Sequence, residues 1–146
     1  MKVCFVISGE PCGKGRPRFS AKAGRTYTPE KTSRYENLVK LEYERQCGYR
    51  FEDDEQLDMR IYAYYGIPKS DSKKKAALKL QGAIRPVKKP DMDNVMKIVA
   101  DSLNGVAYRD DTQIVDSMVR KFYSDRPRVQ IVIQTARRRT SDDGQV

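Results

Sequence analysis

The sequence predicts an α+β fold, one domain in which helices cover a small mixed sheet. Three observations carry that expectation. Leu57, Met59, Ile61, Ala63 and Tyr65 alternate with Gln56, Asp58, Arg60, Tyr62 and Tyr64, the period-2 pattern of a half-buried strand. Segments with helical spacing and helix punctuation lie on both sides of that strand. Shorter β-rich runs at residues 2–7, 113–123 and 128–134 complete a mixed order of strands and helices, as α+β domains show.

Taken along the chain, residues 2–7 form the first strand. Residues 9–27 are dense in Gly, Pro and cations and read as a loop. Thr28-Pro29-Glu30 then reads as a helix start, with a Thr cap, Pro at the first helical position and an acid in the first turn. Tyr35, Leu38, Val39 and Glu42 keep helical spacing, and Gly48 stops it. Pro68 closes the alternating strand. Residues 70–80 predict a short basic helix capped by Ser70 and carrying Lys73, Lys74, Lys75 and Lys79. A further helix runs over 92–103 and ends at Asn104-Gly105. The last two strands join through a turn at Ser124-Asp125-Arg126-Pro127. The domain is expected to span 1–136, with 137–146 as a basic and polar tail lacking apolar periodicity.

Composition narrows the function. The 146 residues carry 29 Lys+Arg against 20 Asp+Glu, a net charge of +9, and contain no histidine. Without histidine there is no Ser-His-Asp or Cys-His pair, no HExxH zinc site and no His-metal endonuclease centre. Chemistry must fall to carboxylates, lysine, tyrosine, cysteine or a metal held by oxygen. Cys4, Cys12 and Cys47 are odd in number and lack CxxC spacing, which argues against a disulfide framework and for a reducing, cytoplasmic setting. No apolar run is long enough to span a bilayer, so no membrane partner is expected. The basic excess favours nucleic acid.

The segment Lys88-Lys89-Pro90-Asp91-Met92-Asp93-Asn94-Val95-Met96-Lys97 is the centre of interest. Asp91 and Asp93 flank one residue at a helix start. Asp93, Lys97 and Asp101 share one stripe at i, i+4 and i+8, while Val95, Met96, Val99 and Leu103 form the core side. A second acidic pair, Asp110-Asp111, precedes a strand. Each feature has an ordinary alternative: Asp93 as a cap, Asp101 as a partner of Lys97, Asp110-Asp111 as turn residues. Together, in so basic a chain, they point elsewhere. Aspartates ~5 Å apart repel by about 3 kcal/mol at an effective dielectric near 20, so gathering them needs a counter-charge. A hard cation such as Mg²⁺ supplies it.

Other motifs fail on inspection. Gly9-Glu10-Pro11-Cys12-Gly13-Lys14 is one residue short of a phosphate-binding P-loop, and Gly15 stands where Ser or Thr should follow. Asp91-Met92-Asp93-Asn94-Val95 fits a DxDxV phosphotransferase pattern without the buried strand that should precede it. Met96 stands where a calcium loop needs Gly. The cations Lys14, Arg16, Arg18, Lys22 and Arg25 crowd the first loop beside Phe19 and Tyr27, and Lys88 and Lys89 precede the acids. Such cations neutralise backbone phosphates, and the small Gly and stiff Pro of Lys14-Gly15-Arg16-Pro17-Arg18 permit close backbone approach.

Two of these segments, PDMDNVMK and DSLNGVAYRDDTQI, together with the early Gly-Lys-Gly-Arg-Pro-Arg stretch, resemble the RusA-type Holliday-junction resolvases, small endodeoxyribonucleases common in bacteria and their prophages. The likeness runs from Gly9 to about Lys121. It implies a RusA-like fold and a homodimer that binds four-way DNA junctions and nicks two opposed strands with Mg²⁺ or Mn²⁺, and no small-molecule cofactor. By that resemblance Asp91, Asp93 and Asp111 are metal-binding carboxylates, Asp110 a supporting acid and metal ligand, and Lys97 the catalytic lysine. Lys14, Arg16, Arg18, Lys88 and Lys89 are the expected DNA contacts. Pro90 stands before Asp91, so no aromatic wedge occupies that position. The alternatives are a nuclease for other branched DNA and a junction-binding module without catalysis. Tyr62, Tyr64 and Val132 are expected on open faces where a second copy has room to dock.

Overall fold

Alternation along β4 (Leu57–Gly66) builds the centre of the sheet. Its Leu57, Met59, Ile61, Ala63 and Tyr65 are at most 1% exposed. The computed structural model describes residues 1–15, 18–27 and 29–138. In it, β6 (Arg128–Thr135) pairs antiparallel with β4 on one side, and β5 (Ile114–Ser124) pairs parallel on the other. β1 (Lys2–Ser8) runs antiparallel outside β6, giving the order β1-β6-β4-β5. Asp58 breaks the alternation by being buried, and its carboxylate accepts bonds from Arg60 and Gln134.

Parallel strands need a long crossover. Residues 67–113 provide it, carrying α2 (Lys73–Leu80), α3 (Met92–Ser102) and a 3-10 turn at Asp111–Gln113. This crossover holds all the candidate site acids singled out above, together with Lys88, Lys89 and Lys97. α1 (Glu30–Gln46) packs on β1 and α3, with Tyr43 edge-on to Phe5 at 5.2 Å. Val95, Ile98, Val99 and Leu103 of α3 and its C-cap join Val39, Ile61 and Ile131 in one core. Each such side chain contributes about 1.5–3 kcal/mol by leaving water. Gly48 (φ 69°) ends α1 in the left-handed region, as expected.

Several expectations change. The first loop contains a hairpin, β2 (Arg18–Ser20) and β3 (Arg25–Tyr27), turned through Gly24 at φ 63°. Three-residue strands are too short to show alternation. α2 is capped by Ser72, whose Oγ accepts the Lys75 N–H at 3.2 Å, and not by Ser70. Its Lys79 is no solvated cation: it is 5% exposed, paired with Asp71 and 4.5 Å from the Tyr123 ring centroid. Met96 packs half-buried against the core at the edge of a groove, and Ile98 adds a fully buried core residue on α3. Thr28, the expected cap of α1, lies outside the described residues, as do 139–146 of the expected tail. Among the described residues no helix is long and apolar enough to cross a membrane.

Candidate active site and nucleic-acid interface

Asp91 occupies the N-cap of α3 in extended backbone, φ −70° and ψ 157°, yet its carboxylate makes no capping hydrogen bond. The helix start is held from outside. The Tyr65 hydroxyl, from the end of β4, donates to the Pro90 carbonyl at 2.6 Å, next to the cis Lys89–Pro90 bond. On the other side, Lys14 N–H donates to the Asn94 carbonyl at 3.2 Å. Gly13 permits this: a Cβ there would lie 2.9 Å from Pro90 Cβ and 3.1 Å from Asn94 Cβ. Gly15 is equally tight, its N–H on the Thr32 hydroxyl at 3.1 Å. The small residues of the first loop therefore let it approach α1 and α3.

The stripe expected on α3 faces a groove of about 420 Å³. Asp93, Lys97 and Asp101 line one wall and Asp111 another, with Met92, Met96 and Met118 among the apolar lining. Asn104, just past α3, aims Asp111 by accepting its N–H at 2.8 Å. Burial first, then a carboxyl–carboxyl hydrogen bond with Asp101 and the charges of Asp101 and Asp110, raise the Asp111 pKa; Lys97 opposes them without winning. Beneath, buried Tyr108 donates to the Ala100 carbonyl at 2.6 Å, and burial followed by the charges of Asp111, Asp101 and Asp110 drives its pKa up.

Asp91 belongs to a different neighbourhood. The Tyr65 pKa is pushed up to about 12, mainly by burial and then by the charges of Asp91 and Glu10. Burial lowers the Lys121 pKa while Asp91 counteracts it. The Lys121 ammonium donates to the Lys88 carbonyl at 2.7 Å and sits 5.0 Å from the Tyr65 ring centroid. A lysine in a strand gives no hint in sequence of the acid it faces, and Lys121 was not anticipated.

A family model described as Endodeoxyribonuclease RusA matches residues 8–134. The chain belongs to the RusA endodeoxyribonuclease family. It is also 39% identical over 133 residues to the uncharacterized protein YqaN of Bacillus subtilis (strain 168), covering 89% of this chain and 94% of that one. Family membership makes the groove acids candidates for phosphodiester hydrolysis.

Within this RusA-family chain the expected site residues divide. Asp93, Lys97 and Asp111 come together on the groove, joined by Asp101. Asp91 stands at the helix end beside Tyr65 and Lys121. Asp110 lines a separate hollow with Asp53 and Arg109, and its carboxylate accepts the Thr112 hydroxyl at 2.6 Å within a capping box completed by Gln113. Those Thr112 bonds lower its pKa. Lys14 is committed to the protein, 3.2 Å from Glu36 and 3.6 Å from Asp101. Lys88 and Lys89 are exposed; Arg16 and the side chain of Arg18 lie outside the described residues. Among the described residues no three acidic or thiol groups converge as a metal ion would gather them. The acidic groups on the groove are nonetheless all carboxylates, the type a hard cation prefers.

Proposed function

We propose that this protein is a metal-dependent, structure-selective endonuclease that resolves four-way DNA junctions by paired nicks. The observation that carries the reading is the Asp93–Lys97–Asp101 stripe facing Asp111 across one groove, in a +9 chain of the RusA family. Asp93 and Asp111, with Asp91 from the helix end, would hold Mg²⁺ or Mn²⁺, and Asp101 meets Asp111 across the groove in a side-chain hydrogen bond. Held by these carboxylates, such a cation would supply the Lewis-acid chemistry for hydrolysis of a phosphodiester.

The chain's own residues do the rest. Lys97, an exposed ammonium on the groove wall, offsets charge that builds on the phosphate, the role of a preorganised cation. Asn104 and the Tyr65–Pro90 bond fix the backbones that carry Asp111 and Asp91. Asp110 supports the site through its turn. A four-way junction presents two equivalent strands, so two matched nicks call for two sites; a two-fold dimer supplies them. The protein acts on DNA in the cytoplasm.

The test compares labelled four-way, flap and linear duplex substrates with Mg²⁺ and with EDTA. Paired, opposed nicks confined to the junction and requiring the cation support the reading. Equal cutting of flaps points to a broader branched-DNA nuclease, and binding without cutting to a recognition module.

A further inference from the structure

Among the described residues, the sheet has a second face that no helix covers. The buried apolar strand residues all point to the helix side, so Arg60, Tyr62 and Tyr64 of β4 stand opposite, in register with Arg120 and Phe122 of β5 and with Arg128 of β6. Here the Tyr64 and Phe122 rings stack, with centroids 5.7 Å apart and planes at 25°. A guanidinium closes each end. Arg128 lies 3.9 Å from the Tyr64 centroid, and Arg85, from the segment after α2, lies 4.4 Å from the Phe122 centroid. The result is a four-tier stack, Arg128–Tyr64–Phe122–Arg85. Arg128 is further held by Ser124 Oγ at 3.1 Å and the Arg126 carbonyl at 3.0 Å, and Arg85 by the Lys121 carbonyl at 2.9 Å.

Among the described residues neither guanidinium forms an ion pair with a carboxylate. A guanidinium that is stacked and hydrogen-bonded has already lost its rotamer freedom on folding, so little more is lost when it meets an anion. Its planar fork suits phosphate oxygens. Lys2, Arg60, Arg120 and Arg128 on this face outnumber Asp58 and Asp116, so the same face of a second copy would be repelled and a polyanion attracted. The stack also lies at the end of the sheet that carries Lys121, the lysine facing Asp91.

We infer that this helix-free face, centred on the stack, docks the sugar–phosphate backbone of a DNA arm, a contact surface separate from the loop cations. The inference rests on the nuclease reading for its choice of polyanion. It assigns Arg85 and Arg128 as positioning residues that hold an arm at the sheet end next to the groove, and Tyr62, Tyr64 and Val132 to a DNA-facing surface instead of a contact between copies.

The experiment is a fluorescence-anisotropy titration of the full chain against a labelled linear duplex and a labelled four-way junction, across a salt series in EDTA. Each lost phosphate contact lowers the slope of log affinity against log salt by about 0.9, so Arg85→Gln/Arg128→Gln should lower it by about 2 on both probes. Arg34→Gln, on exposed α1 and paired with Glu30, should leave the slope unchanged. If circular dichroism shows the double variant unfolded, Arg120→Glu, at an exposed position on the same face, decides instead and should also flatten the slope. A folded variant with wild-type slope and affinity overturns the inference. So does sedimentation showing that the substitutions split a dimer without altering duplex binding, since the face would then join two copies. A wild-type protein that binds but never nicks with Mg²⁺ or Mn²⁺ defeats the nuclease reading alone, and the salt slopes still decide this one.

Discussion

Asp110 and Asp111 are neighbours in sequence and belong to different regions of the molecule. Asp110 faces the turn, where Thr112 and the capping box with Gln113 consume its carboxylate and hold its pKa low. Asp111 faces the groove, where burial and Asp101 hold its pKa high. One carboxylate is stabilised as an anion by donors arranged around it; the other is kept among acids without enough donors. The contrast separates a residue that builds the turn from one that the turn delivers to the groove.

The sharpest way to break this contrast is to neutralise each in turn. Asp111→Asn should lower the junction nicking rate by at least about 10³-fold, since the proposed cation would lose an anionic ligand. Junction affinity in EDTA should hold or rise, because a negative charge leaves the phosphate path. Asp93→Asn and Asp91→Asn should behave likewise, and a triple variant that still cuts would remove the assignment. Lys97→Met should cost about 10²–10³-fold in kcat with binding little changed, as loss of one transition-state donor does. Asp110→Ala should leave nicking within about tenfold but lower Tm by about 2–4 °C, the effect of a lost cap in a domain of this size.

The smallest effect concerns pH. Asp110 has a lowered pKa, so its contribution to stability is present above the ordinary carboxylate value of 3.8 and is lost as pH falls through its own lower pKa. Asp111 has a raised pKa, so its contribution is present below 3.8 and is lost as pH rises through its own higher value. Thermal melts without divalent cations should therefore respond oppositely. Asp111→Asn should gain relative to wild type as pH rises past the carboxylate range, by about 1–2 °C for removal of one repulsive contact. Asp110→Asn should lose relative to wild type over the same change.

What the sequence made legible follows physical rules of range. The alternation of β4 and the apolar side of α3 are local patterns that burial enforces, and both appear where expected, with Ile98 added to the core side. The Asp93–Lys97–Asp101 stripe needs only helical geometry. The hairpin at Arg18–Ser20 and Arg25–Tyr27 was illegible because neither strand is long enough to repeat. Ser70, Asp71 and Ser72 are all acceptable caps by type; the choice falls on Ser72 because Asp71 turns inward to Lys79. Lys14 looked like a phosphate contact because its partners, Glu36 and Asp101, lie far along the chain. Lys121 beside Asp91 was hidden for the same reason.

The central claim is that the Asp111 side of the acidic pair does chemistry and the Asp110 side builds structure. The most direct measurement is the rate of paired nicking of a synthetic four-way junction in Mg²⁺ by wild type, Asp110→Asn and Asp111→Asn, each shown folded by circular dichroism. The account predicts opposed, cation-dependent nicks by wild type, activity within about tenfold for Asp110→Asn, and a loss of at least about 10³-fold for Asp111→Asn. Equal losses at the two positions, or an Asp111→Asn protein that cuts as wild type does, would contradict it.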